Sequence, residues 1–143
     1  TAQSAENPVY YVQYAHARIA SIGRRAESEG IKRIPFLDVN LSPLSDTHEL
    51  DLLRSLAELP AVLSEAAQLR APHRVTTWVR DLAARFHAFY RACRVITDDV
   101  ALTQARLALA EATRIGLKNG LDILGVKAPD AMHRSEREDE DDL

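Results

Sequence analysis

The sequence has little of what marks secreted or membrane-spanning proteins. It contains a single cysteine, Cys93, which excludes an internal disulfide and indicates a reducing compartment. No segment approaches the roughly 20 apolar residues that a membrane-spanning helix needs. The N-terminus has no basic region followed by an apolar one, as a secretory signal would. We therefore predict a cytoplasmic protein without a membrane partner.

The usual sequence signatures of catalysis and metal binding are missing as well. The five histidines are scattered, no two have the spacing of a metal site, and Cys93 has no CxxC companion. The glycines form no phosphate-binding loop after a strand. Asp98 and Asp99 are better interpreted as a helix cap than as a catalytic carboxylate pair. We predict no catalytic residue, no metal ligand and no cofactor in this chain.

Helical periodicity, in contrast, runs through nearly the whole sequence. In the first segment, apolar residues recur at intervals of three and four, the stripe of an amphipathic helix. They are Val12, Ala15, Ile19, Ile22 and Ala26. Pro8 suits the first turn of this helix and Gly30 its end. Residues 31–46 lose the period and carry two prolines, so we expect a long connecting loop there.

Two shorter helices are expected next. Asp46, followed three residues later by Glu49, resembles a capping box that opens a helix to about Glu58. Pro60 breaks that helix, and a shorter one then runs through Leu69.

The last two helices are the longest and the most apolar. A fourth helix follows Pro72, and its core face is formed by Val75, Trp78, Val79, Leu82, Phe86, Phe89, Tyr90 and Cys93. A fifth runs from Val100 to about Leu124, with Thr97 or Asp98 as its N-cap. No alternating strand pattern of useful length appears. The sequence therefore predicts an all-α bundle of about five helices.

Charge is unevenly distributed along the chain. Residues 133–143, HRSEREDEDDL, contain six acidic residues against two arginines, a net charge of −4. Because the whole chain carries −3, residues 1–132 carry +1. The acidic segment has no apolar period that could form a core. We predict a helical domain over residues 1–132 and a disordered acidic tail over residues 133–143.

A row of aromatic and basic side chains borders the core stripe of the first helix. At about 100° per residue, Tyr14, Arg18 and Arg25 fall immediately beside that stripe, close to Tyr11. Tyrosine rings stack on unpaired bases, and arginines neutralise phosphates, so this row suits single-stranded nucleic acid. The alternative is that the tyrosines complete the rim of the core while their hydroxyls stay in water.

The fourth helix repeats the pattern. Arg80, His87, Arg91 and Arg94 lie along one flank of its core face, and Tyr90 lies at the boundary. Each basic row is also compatible with an ordinary solvated helix face.

Four segments, in the same order, resemble the C-terminal DALR anticodon-binding domain of arginyl-tRNA synthetases. The likeness extends from Asn7 to Met132. The segments are NPVYYVQYAHARI (7–19), ELDLLRSLAELPAVL (49–63), APHRVTTWVRDLAARFHAFYRACRV (71–95) and ARLALAEATRIGLKNGLDILGVKAPDAM (105–132). The domain of that family is a helical bundle, in agreement with the periodicity.

The resemblance implies a role in tRNA binding. In that family the bundle receives the anticodon arm of the arginine tRNA, and a separate class I catalytic domain of the same parent chain carries out ATP- and Mg-dependent arginylation. The HIGH-like and KMSKS-like motifs of the catalytic domain do not occur here. The chain begins at Thr1 without a methionine, which suggests an excised piece of a longer protein. We expect no aminoacylation by this chain alone, no cofactor of its own, and tRNA-Arg and the catalytic domain as partners.

The resemblance also implies which residues contact the RNA. They are Tyr11, Gln13, Tyr14 and Arg18 in the first helix, Tyr90 and Arg94 at the end of the fourth, and Met132 near the C-terminus. Some relatives carry an aromatic residue where Arg94 stands, which makes a phosphate contact more plausible there than stacking.

The chain departs from the family pattern after Met132, where many members stop. The acidic tail leads to the hypothesis that it competes with tRNA for the basic rows. Two alternatives to the leading interpretation stay open: a helical protein-interaction module that keeps the fold without binding RNA, and a related helical domain from another class I synthetase.

Overall fold

The computed structural model describes residues 8–132, which form a helical bundle without strands in that range. The five α-helices, α1 to α5, are Pro8–Ser28, Thr47–Ala57, Leu59–Gln68, His73–Ala92 and Val100–Ile123. A single residue, Glu58, separates α2 from α3. The all-α prediction is confirmed. The predicted tail over residues 133–143 lies outside the described residues.

The core forms where α1, α4 and α5 pack against one another. Helix α4 contacts all four other helices, α2 lies against both α4 and α5, and α3 lies against α4. The largest side chains that are almost wholly buried come mainly from these contacts, and include Phe86, Phe89, Leu52, Leu82, Leu107, Leu117 and Leu121. The core faces that the periodicity predicted in α1 and α4 are buried as expected, with Tyr90 half-buried at their edge.

A glycine follows the end of the first helix, α1, and another follows the end of the last helix, α5. Gly30 has a φ of +74°, and the N–H of Ile31 donates to the carbonyl of Ala26 at 3.0 Å. Gly125 repeats this arrangement with a φ of +74° and a bond of 2.9 Å from Val126 to Leu121. Glycine adopts the left-handed conformation without the clash that a Cβ would cause. The second turn redirects the chain back toward α1.

The capping box at α2 is present. The N–H of Asp46 donates to Glu49 Oε1 at 2.9 Å, and Asp46 Oδ1 accepts from the N–H of His48 at 2.9 Å. Glu49 is 1% exposed and also accepts from Arg106 of α5 at 2.9 Å. The cap therefore ties α2 to α5.

Two features of the helix boundaries differ from the prediction. Pro60 does not break a helix but lies in the first turn of α3, where its missing N–H costs nothing. Helix α2 ends at Ala57 with Glu58 as its C-cap, in agreement with the predicted end at about Glu58. The N-cap of α5 is Asp99, not Thr97 or Asp98, and its carboxylate accepts from the N–H of Leu102 at 3.1 Å.

The loop between α1 and α2 is irregular apart from a short 3-10 helix, Phe36–Asp38. Gln104 of α5 fixes its first part, because its amide accepts from the N–H of Ile34 and donates to the carbonyl of Lys32, both at 3.0 Å. None of the helices within residues 8–132 is long and apolar enough to cross a bilayer.

Candidate nucleic-acid interface

An open cleft of about 710 Å³ lies between α1, the end of α4 and the last described residues. The two helices cross there with their aromatic and basic borders facing each other. The lining residues that matter below are Tyr14, Arg18, Arg24, Arg25, Tyr90, Arg91, Arg94 and Met132.

Arg18 joins the aromatic borders of the two helices. Its guanidinium carbon lies 4.5 Å from the ring centroid of Tyr90 and 5.3 Å from that of Tyr14. Both distances are within the range of a cation–π interaction. Tyr14 and Tyr90 therefore face the same cleft, with one planar cation between them.

Beneath this group lies His87, whose Nδ1 is 3.1 Å from Nη1 of Arg18. Because a guanidinium only donates, Nδ1 of His87 accepts this bond and carries no proton. The His87 ring stacks on Tyr14 at 6.0 Å between centroids, and Tyr11 lies 5.1 Å away on a tilted plane. His87 is 4% exposed. The sequence interpretation of His87 as part of an exposed basic row is therefore wrong: its ring is buried against Tyr14 and Arg18 of α1 and is not among the described lining residues of the cleft.

The cleft is strongly positive. Five arginines line it, and the described lining includes no aspartate or glutamate. Arg25 is partly compensated by Glu29, whose carboxylate lies 3.6 Å from its guanidinium at the exposed surface. A surface of this kind attracts the phosphate groups of a nucleic acid.

The last described residues cross α1 beside the cleft. We name residues 126–132 the strap. Side chains of α1 donate to three of its backbone carbonyls: Gln13 Nε2 to that of Lys127 at 2.9 Å, His16 Nδ1 to that of Pro129 at 2.8 Å, and Arg24 Nη1 to that of Asp130 at 3.0 Å. The strap thereby brings Ala131 and Met132 into the lining.

The structure brings together five of the seven residues that the resemblance indicated. Tyr14, Arg18, Tyr90, Arg94 and Met132 line the cleft. Tyr11 and Gln13 are not among its described lining residues: Tyr11 lies against His87, and Gln13 holds the strap. Whether each of them contacts RNA stays a prediction.

The sequence interpretation overlooked two contributions to this region. Arg24 lines the cleft although it stands outside the row that begins at Tyr14, and only its neighbour Arg25 was noted. The bonds that hold the strap join residues 106 to 114 positions apart, so no local pattern announces them.

Two titratable groups near the cleft are held in their neutral forms. Burial raises the pKa of the Tyr11 hydroxyl, against the opposing effect of Arg91, Arg18 and Arg80. The pKa of the Cys93 thiol is raised from 9.0 to about 11, mainly by burial and to a smaller extent by a hydrogen bond with Asp46. Cys93 is buried, as the sequence predicted, and is no candidate nucleophile.

Metal binding finds no support in residues 8–132, where no group of three or more His, Cys, Asp or Glu side chains could hold an ion. The positive, aromatic cleft is the candidate site. It suits a ligand that combines flat rings with negative charge.

A family model described as "DALR anticodon binding domain" matches residues 12–132. The match covers α2 to α5, all of α1 except its first four residues, and the whole strap, so the chain belongs to the DALR anticodon binding domain family.

The individual proteins to which the chain is similar carry names that agree with this family. The chain is 52% identical over 130 residues to an arginine–tRNA ligase of Moorella thermoacetica, across 91% of this chain and 23% of that ligase. It superposes on an arginyl-tRNA synthetase of Thermus thermophilus with a TM-score of 0.72 and 32% identity, across 92% and 22% of the two chains. A Campylobacter jejuni protein, itself proposed to be an arginyl-tRNA synthetase, gives a TM-score of 0.79 at 29% identity, across 91% and 28%. The chain thus spans roughly a quarter of these relatives' length.

Proposed function

We propose that this domain binds the anticodon arm of tRNA-Arg in the cleft between α1 and α4. The unpaired bases of the anticodon loop enter the cleft, and the phosphates contact its arginines. Specificity comes from the fit of bases against rings and backbone, and affinity comes largely from charge. The domain contributes binding and orientation but no chemical step.

One observation carries this proposal: Arg18 lies over the rings of both Tyr14 and Tyr90 at the wall of an open cleft. Rings that only completed the core would be covered by apolar neighbours on both sides. Here both tyrosines are half-buried, and each contributes to the cleft surface. The guanidinium contacts both rings and brings a positive charge to the wall of the cleft.

The arginines around the rings supply the second part of the binding. Arg91 and Arg94 are exposed at the end of α4, and Arg24 and Arg25 are exposed across the cleft on α1. A strand that enters between the two helices meets cations on both sides. This arrangement favours a single-stranded loop over a compact protein partner, whose carboxylates would need fixed positions.

The family names of the relatives extend the proposal to a longer protein. A ligase domain that this chain does not contain would bind ATP with Mg and arginine and transfer arginine to the tRNA. The present domain would hold the anticodon arm while the acceptor end reaches that domain. The arginine tRNA is inferred from what the relatives are named for.

The experiment is a titration of the protein with an anticodon stem-loop RNA of an arginine tRNA, carried to high micromolar protein. A second RNA has the same stem and altered anticodon bases. Stronger binding of the first RNA supports the proposal. Equal weak binding of both, or none, overturns it, and absence of binding favours a protein-interaction module instead.

Ring variants test where the bases bind. Tyr14→Ala and Tyr90→Ala each remove a stacking surface worth about 1–3 kcal/mol, so binding falls about 5- to 150-fold. Tyr14→Phe keeps the ring and serves as the matched control, with binding close to that of the unaltered protein. Circular dichroism and thermal unfolding accompany each titration. Loss of the helical fold at unchanged affinity of the folded fraction would show that the rings belong to the core.

A further inference from the structure

We propose that Gln13 and His16 are positioning residues for RNA binding: they fasten the strap to α1 and thereby hold Met132 in the wall of the cleft. The inference rests on the proposed function and adds to it a mechanical part. Neither side chain is among the described lining residues of the cleft, so neither needs to touch RNA.

The positions of the three donors on α1 support this division. At about 100° per residue, Gln13, His16 and Arg24 lie within roughly 80° of one another on a single side of the helix. Tyr14 and Arg18 point to the neighbouring side, which faces the cleft. Gln13 and His16 therefore lie on a side of α1 that holds the strap, whereas Arg24, further along the helix, both holds the strap and lines the cleft.

The strap is fixed only partly by apolar contacts. Val126 and Ala128 pack against the core, whereas Asp130 and Ala131 are exposed and Met132 is half-buried. Beyond Ala128 the hydrogen bonds to the carbonyls of Pro129 and Asp130 are the described contacts that continue to hold the backbone on α1. His16 and Arg24 thus control the part of the strap that reaches the cleft, and Gln13 controls its approach.

His16 lowers the stability of the fold at its buried position, and its hydrogen bond to the strap is the interaction that accounts for it. It is 1% exposed, and its Nε2 has no hydrogen-bond partner among the described residues. A buried polar atom left unpaired loses its hydrogen bonds to water without replacement, which destabilises the folded state. A leucine would fill the space without that cost. The hydrogen bond from Nδ1 to the carbonyl of Pro129 explains why a histidine stands where an apolar residue would give a more stable fold.

The test compares substitutions that keep or remove each donor. Gln13→Ala and His16→Leu remove one hydrogen bond each, and we expect the anticodon stem-loop to bind about 2- to 10-fold more weakly, the effect of one such bond. His16→Asn places an amide N–H near the position of Nδ1 and should restore binding to within about twofold. Gln68→Ala, which removes an exposed glutamine on α3, is the matched control.

Two readouts separate positioning from general stability. His16→Leu should unfold at the same temperature as the unaltered protein or higher, although it binds RNA more weakly. A double-mutant cycle between Gln13→Ala and Met132→Ala should be non-additive, because Gln13 acts through Met132. Fully additive losses, or a His16→Leu protein that binds RNA as well as the unaltered one, overturn the inference.

The strap can also be observed without RNA. Met132 is the only methionine of the sequence, so a methyl-labelled sample gives a single methionine signal. In the unaltered protein we expect the chemical shift of a packed methyl group, and in the Gln13→Ala, His16→Leu double variant that of a free side chain. An unchanged signal overturns the inference. If the unaltered protein fails to bind RNA, the proposed function falls as well; if it binds RNA and the variants bind equally, only the positioning role falls.

Discussion

At the scale of single residues, Cys93 combines a reactive side chain with a buried position beside Asp46. Its pKa of about 11, against 9.0 for a free thiol, makes the thiolate fraction at pH 8 about 100-fold smaller than in the unfolded chain. We expect a colorimetric thiol reagent to react at least that much more slowly with the folded protein than with the protein in concentrated urea. Equal rates would mean that the thiol is exposed.

The same shift makes stability depend on pH at the alkaline end. Because the pKa of the folded thiol is raised, the folded state holds its proton more tightly than the unfolded state does. This contribution is complete below pH 9 and is lost as the pH rises from 9.0 toward about 11. In chemical unfolding from pH 8 to 11, the unaltered protein should lose stability more steeply than Cys93→Ala. Parallel curves would contradict the prediction.

Residues differ in how far their positions could be predicted from sequence. Tyr14, Arg18 and Tyr90 were predictable, because the angle of each from its helix's own core stripe decides which side it faces. The burial of His87 was not predictable from the same angles, since Arg18, with which it forms a hydrogen bond, lies 69 positions away. The angle of a residue around its helix gives the direction of its side chain but not which side chain of another helix lies opposite. Histidine also occurs both at exposed positions and packed under aromatic rings, so the residue type does not decide between them.

At the scale of elements, the close contact of α4 with α5 depends on glycine. A Cβ added at Gly120 would lie 2.6 Å from Cγ2 of Val79, which packs in the core. We expect Gly120→Ala to lower the free energy of unfolding by about 1–3 kcal/mol, because overpacking outweighs the gain in helix propensity. Urea unfolding measures the change.

Gly23, on α1, supplies the matched control for that prediction. A Cβ there meets only the end of the flexible Arg33 side chain, at 3.6 Å. Gly23→Ala should therefore raise stability, by up to about 1 kcal/mol. If both alanine variants shift stability in the same direction, packing against Val79 is not what decides the effect.

A buried ion pair joins two other elements. Arg106 of α5 is 13% exposed and bonds the nearly inaccessible Glu49 carboxylate, and its other end donates to the carbonyl of Arg94. Arg106→Met leaves a buried charge uncompensated, and we expect a loss of about 3–5 kcal/mol in unfolding experiments. Arg54→Met, at an exposed pair with Asp51, should cost less than about 1 kcal/mol. Equal losses would show that burial of the pair contributes nothing.

The boundaries of elements were predictable where a side chain acts on its own turn. The capping box at Asp46 and the glycine at position 30 act within a few residues, so the sequence contains both partners. The breaks assigned to prolines were less secure. Pro60 is compatible with the interior break of one helix and with the first turn of the next, and only the packing of α3 against α4 decides between them.

At the scale of the whole molecule, the distribution of charge predicts how RNA binding depends on salt. Residues 133–143 carry a net charge of −4 and follow directly after Met132, which lines a cleft with five arginines. Deleting them should strengthen binding of the stem-loop on the order of 2- to 10-fold at low salt and steepen the dependence on salt. A variant with all six acids changed to Asn or Gln should behave like the deletion. Unchanged affinity and slope in both would refute competition by the tail.

The position of the strap in the chain also determines when the cleft can form during protein synthesis. The cleft draws Tyr14 from near the start of the described chain and Met132 from its end, and the bonds from Gln13 and His16 span 114 and 113 positions. Contacts this distant along the chain form late, since a long loop must close first. While the ribosome still holds the strap, α1 is already synthesised but the site lacks a wall. A nascent chain therefore has a complete cleft only after the strap has left the exit tunnel.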